Sequence, residues 1–187
     1  AHPATAADIN AWLALAQLQY SVRAEGVLPV YGALIDVDGD TETPAFYTVA
    51  QRAVGSLESE VLTPGGALAH ATTTVRLRLV RQSAAALAAL HARGLVHGAV
   101  TPDNVLLSSP DVGDVAVRVV GFSSAAGAAS AAGDVYDWGA LAWRVLAGTL
   151  TPADHATDGA PTTAGLVERG VPEAVVDAIA NCLAPVP

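Results

Sequence analysis

The sequence predicts an α+β fold, with a small sheet layer near the N-terminus followed by a mainly helical layer. Three observations carry this. Apolar residues recur first at helical spacing, then in two short strand-like runs, then again at helical spacing with one small hairpin inserted. The chain has 187 residues and is 52% hydrophobic, which fills one large domain or two small lobes. No internal repeat breaks the order.

The first element, TAADINAWLALAQLQYSV, reads as a helix with Thr5 or Asp8 as its cap and Ile9, Leu13, Ala16 and Tyr20 on one stripe. VLPVYGALID (Val27 to Asp36) and PAFYTVAQR (Pro44 to Arg52) read as strands. Gly39 between two aspartates suits the hairpin turn that joins them. GSLESEVLTPGG is a short polar helix or turn, stopped by Pro64 and two glycines. TTTVRLRLVRQSAAALAALHARG is the strongest helix, with Thr72 or Thr73 to cap it, Val80, Ala84, Leu87 and His91 on one stripe, and Gly94 to end it. NVLLSSPDVGDVAVRVVGF gives two short strands around the turn SPDVGD. GDVYDWGALAWRVLAGT is a second strong helix, capped by Asp134 and ended by Gly148. A loop rich in Thr, Ala, Gly and Pro comes next, TLTPADHATDGAPTTAG. VPEAVVDAIANCLA closes as a helix with Pro172 near its first turn.

Composition narrows the function classes. The net charge is −9, from 18 acidic and 9 basic residues, and every basic residue is Arg. Phosphate polymers and anionic membranes need clustered positive charge, so no nucleic-acid partner is expected. Arg76, Arg78 and Arg81 do gather, and they read as a solvated helix face rather than a phosphate site. The single Cys182 excludes an internal disulfide framework, suits a reducing compartment, and reads as a buried structural thiol. The five histidines are scattered without zinc spacing, and Asp36, Asp38 and Asp40 lack the rest of a calcium loop, so no metal is expected. No signal peptide or membrane span is visible. The chain starts at Ala1 and has no Met, so it reads as a fragment of a longer protein, with any membrane attachment outside it.

One constellation carries a specific signal. A long helix leads to LVHGAVTPDNVLL, with His97, Pro102, Asp103 and Asn104; an apolar strand and Gly121-Phe122 come after it; then Asp134-Val-Tyr-Asp-Trp-Gly. In this order the motifs resemble the protein kinases, over nearly the whole chain. The resemblance implies a truncated small lobe over residues 1–52 and a helical large lobe over 53–187, with the hinge between them at Gln51 to Ser56. It implies that the first helix takes the place of the one whose Glu pairs the ATP lysine. It also implies that His97 and Asp134 are structural: His97 bonded to backbone behind the loop, Asp134 capping its helix or accepting loop N–H groups. A cap of that kind is worth on the order of 1 kcal/mol.

The chemistry has gone from this frame. Phosphoryl transfer needs metal ligands, a cation on the phosphates and a carboxylate at the incoming hydroxyl. Ala99 stands where the resemblance places that carboxylate, Thr101 at the loop Lys, and Gly121 at the metal-binding Asp. Asn104 alone remains of the metal ligands, no Lys exists to hold ATP, and the first helix has no Glu. Only FSSAAGAASAAG separates Gly121 from Asp134, too little for a substrate-seating activation segment. No catalytic residue and no cofactor are expected, although backbone at Gln51 to Val54 could still touch an adenine.

The resemblance therefore points to a pseudokinase acting as a regulatory interaction module. It is similar to the cytoplasmic pseudokinase domain attached to the flippase-type membrane protein of actinobacterial peptidoglycan synthesis, and the Lys-free, Ala-rich composition agrees. The implied partners are an active Ser/Thr kinase and a forkhead-associated, phosphothreonine-reading protein. The candidate phosphoacceptors are Thr149, Thr151, Thr157, Thr162 and Thr163, in the polar loop after the second strong helix. The alternative is a nucleotide-binding, kinase-like enzyme with residual activity whose small lobe lies outside this fragment. A purely structural brace, with no phosphorylated Thr, is the third reading.

Overall fold

Helix α1 (Ala6–Ser21) opens a computed structural model that describes residues 6–37, 44–122, 129–148, 156–157, 160–161 and 164–184. Asp8 lies inside α1 and does not cap it, while Thr5 is outside the described residues. The stripe expected to face inward does not: Leu13 and Tyr20 are exposed, and only Ala16 of the four is buried. Trp12, Leu15, Ala16 and Gln19 turn inward instead, again at i, i+3, i+4 and i+7. The helix is apolar almost all round, so periodicity alone could not choose its face. The large Trp12 ring does, lying 5.0 Å from Phe46.

Strands β1 (Val30–Val37) and β2 (Pro44–Ala50) form the expected antiparallel hairpin, with Leu34 opposite Tyr47 and an irregularity between Val30 and Gly32. Gly39 of its turn is outside the described residues. β1 starts later than expected because Val27 and Leu28 are drawn elsewhere. Val27 bridges Val119 in parallel, and Leu28 N–H donates to the Val119 carbonyl at 3.0 Å. Pro29, with no N–H to give, then separates this strap from the hairpin.

The second sheet has the order β3-β4-β5, from Gly55–Ser56, Val105–Leu107 and Val117–Val119. β4 and β5 are the expected pair; β3 falls in the segment expected to be a polar helix or turn. After β3 the chain makes a single π-helical turn, Glu58–Leu62, that buries Val61 and Leu62, with Leu57 buried just before it. The acidic residues of that segment masked three apolar anchors.

Helix α2 (Thr73–His91) is capped by Thr72, whose side chain accepts from Val75 N–H at 3.4 Å. It buries Leu79, Val80, Ser83, Ala86, Leu87 and Leu90, while Ala84 and His91 lie at the rim. Arg76 is not on a solvated face. Its guanidinium donates to the carbonyls of Ala71, Val145 and Ala69, tying α2 to the end of the next long helix. That helix, α3 (Ala131–Ala147), is capped by Ser130, which accepts from Gly133 N–H at 3.0 Å; Asp134 sits one turn further in and is not the cap. Trp143, 1% exposed, is among the largest side chains in the core.

The segment expected as one loop contains the short pair β6 (Ala156–Thr157) and β7 (Ala160–Pro161), and its end begins α4 (Ala164–Glu168). α5 (Glu173–Leu183) starts after Pro172 and packs across α3. Gly139 permits that approach, since a Cβ there would lie 2.8 Å from the Cys182 Cβ. Cys182 is half-buried, and burial pushes its thiol above the ordinary value. One core cluster runs from Val22 and Val27 through Leu79, Leu90, Val105 and Trp143 to Ile179 and Leu183.

Candidate functional site

α2, the β4–β5 pair and α3 converge on the segment from His97 to Asn104. α2 delivers the chain at Leu95, whose N–H donates back to the Leu90 carbonyl. Val100 and Pro102 are buried and pin the loop to the core. A 3-10 turn, Pro102–Asn104, then feeds β4. Asn104 closes the loop on itself: its Nδ2 donates to the Ala99 carbonyl at 2.9 Å, and its own carbonyl accepts from Val120 N–H at 2.9 Å.

Asp134 is the clamp beneath this loop. The residue is 1% exposed, and its carboxylate accepts from His97 N–H and Gly98 N–H, each at 2.7 Å. His91 Nε2 lies 2.7 Å from the same carboxylate, with its side chain 24% exposed. Burial alone would raise the Asp134 carboxyl. The bonds from His91, Gly98 and His97 together outweigh burial and hold it below the ordinary carboxylate value. Asp137, one turn along, is raised by burial and by the neighbouring Asp134 charge.

His97 is 1% exposed and packs edge-on to Phe122, with ring centroids 6.4 Å apart. Its Nδ1 accepts from Ala99 N–H at 3.3 Å. Its buried Nε2 has no hydrogen-bond partner among the described residues. Burial lowers the imidazole pKa, and the Asp134 charge only partly offsets that. A depressed histidine contributes stability that is complete above its ordinary value of 6.5 and is lost as pH falls from there through the folded value. The depressed Asp134 adds a second loss, below its ordinary value of 3.8. The melting temperature should therefore fall between pH 7 and pH 5, and His97→Gln should flatten that slope while leaving the lower window. Parallel curves for parent and variant would remove His97 from the account.

Three of the positions singled out in the sequence lie close together. Gly121 has φ +77°, and a Cβ on it would lie 3.0 Å from Asn104 Oδ1. Ala99, Asn104 and Gly121 are thus brought together at one end of the loop, with exposed Thr101 between Ala99 and the 3-10 turn. Among the described residues no group of three or more His, Cys, Asp or Glu gathers here or elsewhere in a way that could hold a metal ion. Above this end lies an apolar cleft of about 220 Å³ between the hairpin and the second sheet, lined by Leu28, Thr48, Ala50, Leu106, Val119 and Phe122. Two hinge amides that sequence reasoning offered to an adenine are already used. Gln51 N–H donates to the Pro29 carbonyl and Val54 N–H to the Leu107 carbonyl, both at 2.9 Å.

Of the candidate phosphoacceptors, Thr157 pairs with Ala160 across β6 and β7. Thr149, Thr151, Thr162 and Thr163 lie outside the described residues. Three features went unread in the sequence. His91 was placed on a core stripe but bonds Asp134, 43 positions away. Gln19 of α1 donates to the Phe122 carbonyl at 3.3 Å, linking α1 to the site. Arg76 spends three donors on backbone carbonyls. Only the odd placement of a His on an apolar stripe hinted at the first.

No protein-family model matches the chain. Over 90 residues it is 34% identical to "Serine/threonine-protein kinase GRIK2" of Arabidopsis thaliana, covering 46% of this chain and 21% of that protein. Its fold matches the crystal structure of "Rad53 1-466 in complex with AMP-PNP" with a TM-score of 0.69 at 17% identity, over 95% of this chain and 51% of that one. The fold is therefore protein kinase-like and α+β, and the chain spans about a fifth of the first protein and about half of the second. Among the described residues no helix is long and apolar enough to cross a membrane.

Proposed function

We propose that the chain is a pseudokinase domain: a kinase-shaped regulatory module that is phosphorylated on Thr by a genuine Ser/Thr kinase and then captured by a phosphothreonine-reading protein of the forkhead-associated type. In this reading it belongs to a membrane protein of peptidoglycan synthesis and faces the cytoplasm. The observation that supports it most is the meeting of Asn104, Ala99 and Gly121. In an active kinase two carboxylates would stand there beside the amide. Here the amide nitrogen donates to the Ala99 carbonyl, and Gly121 leaves only a short gap to Asn104 Oδ1. One neutral amide does not hold Mg²⁺, which demands several oxygen ligands including carboxylate. In this reading the Asp134 clamp and the loop's backbone bonds serve to hold the loop's shape.

The apolar cleft beside Phe122 favours a second reading, a nucleotide-binding protein with residual transfer. The two readings part on binding of ATP with Mg²⁺, while phosphorylation separates the first from a purely structural brace. Incubation with an active Ser/Thr kinase from the same organism, then mass spectrometry, should place phosphate on one or more of Thr149, Thr151, Thr157, Thr162 and Thr163. A phosphothreonine adds close to two negative charges and acceptor oxygens that an Arg-lined reader recognises. Alanine at all five positions should abolish phospho-dependent capture by a forkhead-associated domain. Unchanged capture by the five-alanine variant would contradict this assignment of the acceptor.

A further inference from the structure

We propose that the cavity between the start of α2, the end of α3 and the turn after α4 is a binding site for a phosphate monoester group. The cavity measures about 350 Å³ and is lined by His70, Thr73, Arg76, Leu146, Gly148 and Arg169. Neither the kinase-like fold nor the recognition role proposed above assigns anything to it, and the inference rests on neither.

Charge favours an anion in this cavity. The chain carries a net −9, yet it brings Arg76 and Arg169 together here, and among the described residues neither guanidinium meets a carboxylate. Two like cations held together cost free energy unless an anion joins them. Burial, and then the Arg169 charge, lower the Arg76 pKa from its ordinary value, and an anion beside the pair would offset both.

Donor geometry favours the same ligand. A guanidinium has five N–H bonds. Arg76 uses one from Nε and one from each terminal nitrogen on the carbonyls of Ala71, Val145 and Ala69. Two remain, one on each terminal nitrogen, on a group held rigid by the other three. Guanidinium N–H groups held in this way are donors suited to phosphate oxygens. Arg169 is exposed, but its backbone is fixed by Thr73, whose hydroxyl donates to the Arg169 carbonyl at 3.1 Å.

The start of α2 adds a field that is independent of the arginines. The positive end of this 19-residue helix opens at Thr73, and its first turn has no acidic side chain to offset the dipole. Val75 N–H goes to the Thr72 hydroxyl and Arg76 N–H to the Thr72 carbonyl, leaving the Thr73 and Thr74 amides without an intrahelical acceptor. A dianion beside Arg76 is favoured by this field.

The test is a titration of the uniformly ¹⁵N-labelled chain with inorganic phosphate at constant ionic strength, with sodium chloride as the control. Saturable shifts are expected at the Thr73, Thr74 and Gly148 amides and at Arg76 Nε–H. Arg169→Gln keeps every side-chain bond of Arg76 and should weaken binding about tenfold, the scale of one charge-assisted pair. Arg76→Gln is expected to loosen the fold as well, so it is not the deciding variant. No saturation, the same shifts with chloride, or equal affinity in Arg169→Gln would overturn the site. A second arm separates two sources of the same group. Arg169-dependent binding of a phosphothreonine peptide of residues 149–163 that exceeds inorganic phosphate points to the chain's own phosphothreonine. Equal binding points to a phosphate supplied from outside.

Discussion

Replacing Asp134 with alanine is expected to destabilise the domain by about 3 kcal/mol, although the residue touches no reacting group. The buried backbone N–H of His97 and the part-buried N–H of Gly98 each lose a charged acceptor at 2.7 Å, and His91 loses its partner. A hydrogen bond to a charged group contributes about 1.5–3 kcal/mol, and an orphaned buried donor adds a desolvation cost. The change is therefore larger than the loss of a simple helix cap, one of the two roles that the sequence alone suggests for Asp134. For a chain of this size it should appear as a fall in melting temperature of roughly 10 °C. Asp134→Asn should fall between alanine and the parent, since one oxygen survives but an NH₂ now faces a donor. An alanine variant that melts with the parent would show that the loop does not depend on the clamp.

Gly26→Ala should cost about as much, near 3 kcal/mol, for two separable reasons. Gly26 has φ +78°, a region costly for a residue with a Cβ. That Cβ would also lie 2.6 Å from the Cβ of Ala86, which is 0% exposed on α2. The carbonyl of Gly26 accepts from Val119 N–H at 2.7 Å, so the strap cannot simply retreat. Chemical denaturation of Gly26→Ala and of Gly26→Ala with Ala86→Gly separates the terms. The double variant should recover the steric part and keep the backbone part. A single variant as stable as the parent would mean the strap is free to move.

Much of this architecture was readable because the informative residues are near one another in sequence. α2 and α3 combine apolar spacing with a terminal glycine, and both formed close to the expected limits, although Ser130 rather than Asp134 caps α3. The site frame was readable for the same reason, since His97 to Asn104 and Gly121 lie within one loop–strand–strand unit. What escaped depends on contacts made across the chain. The inward face of α1 is chosen by Trp12 meeting Phe46. β3 exists only because β4 pairs with it. Arg76 looked like one of three solvated arginines until the end of α3 supplied the Val145 carbonyl. His91 finds Asp134 only once α2 and α3 pack. Local pattern can place a helix; it cannot say which distant group will share its surface.

Nucleotide binding tests most directly whether this kinase-shaped chain recognises rather than phosphorylates. ATP carries dense negative charge, and its phosphates must be offset by cations, a bridged metal and oriented donors. The positions that the proposed reading assigns to that task, Ala99, Thr101, Asn104 and Gly121, carry no charge. Calorimetric titration of the full-length protein with ATP and Mg²⁺, with folding checked by circular dichroism, should give a flat trace from a folded sample. Micromolar affinity that depends on Mg²⁺ would contradict the account and return the chain to the enzymes.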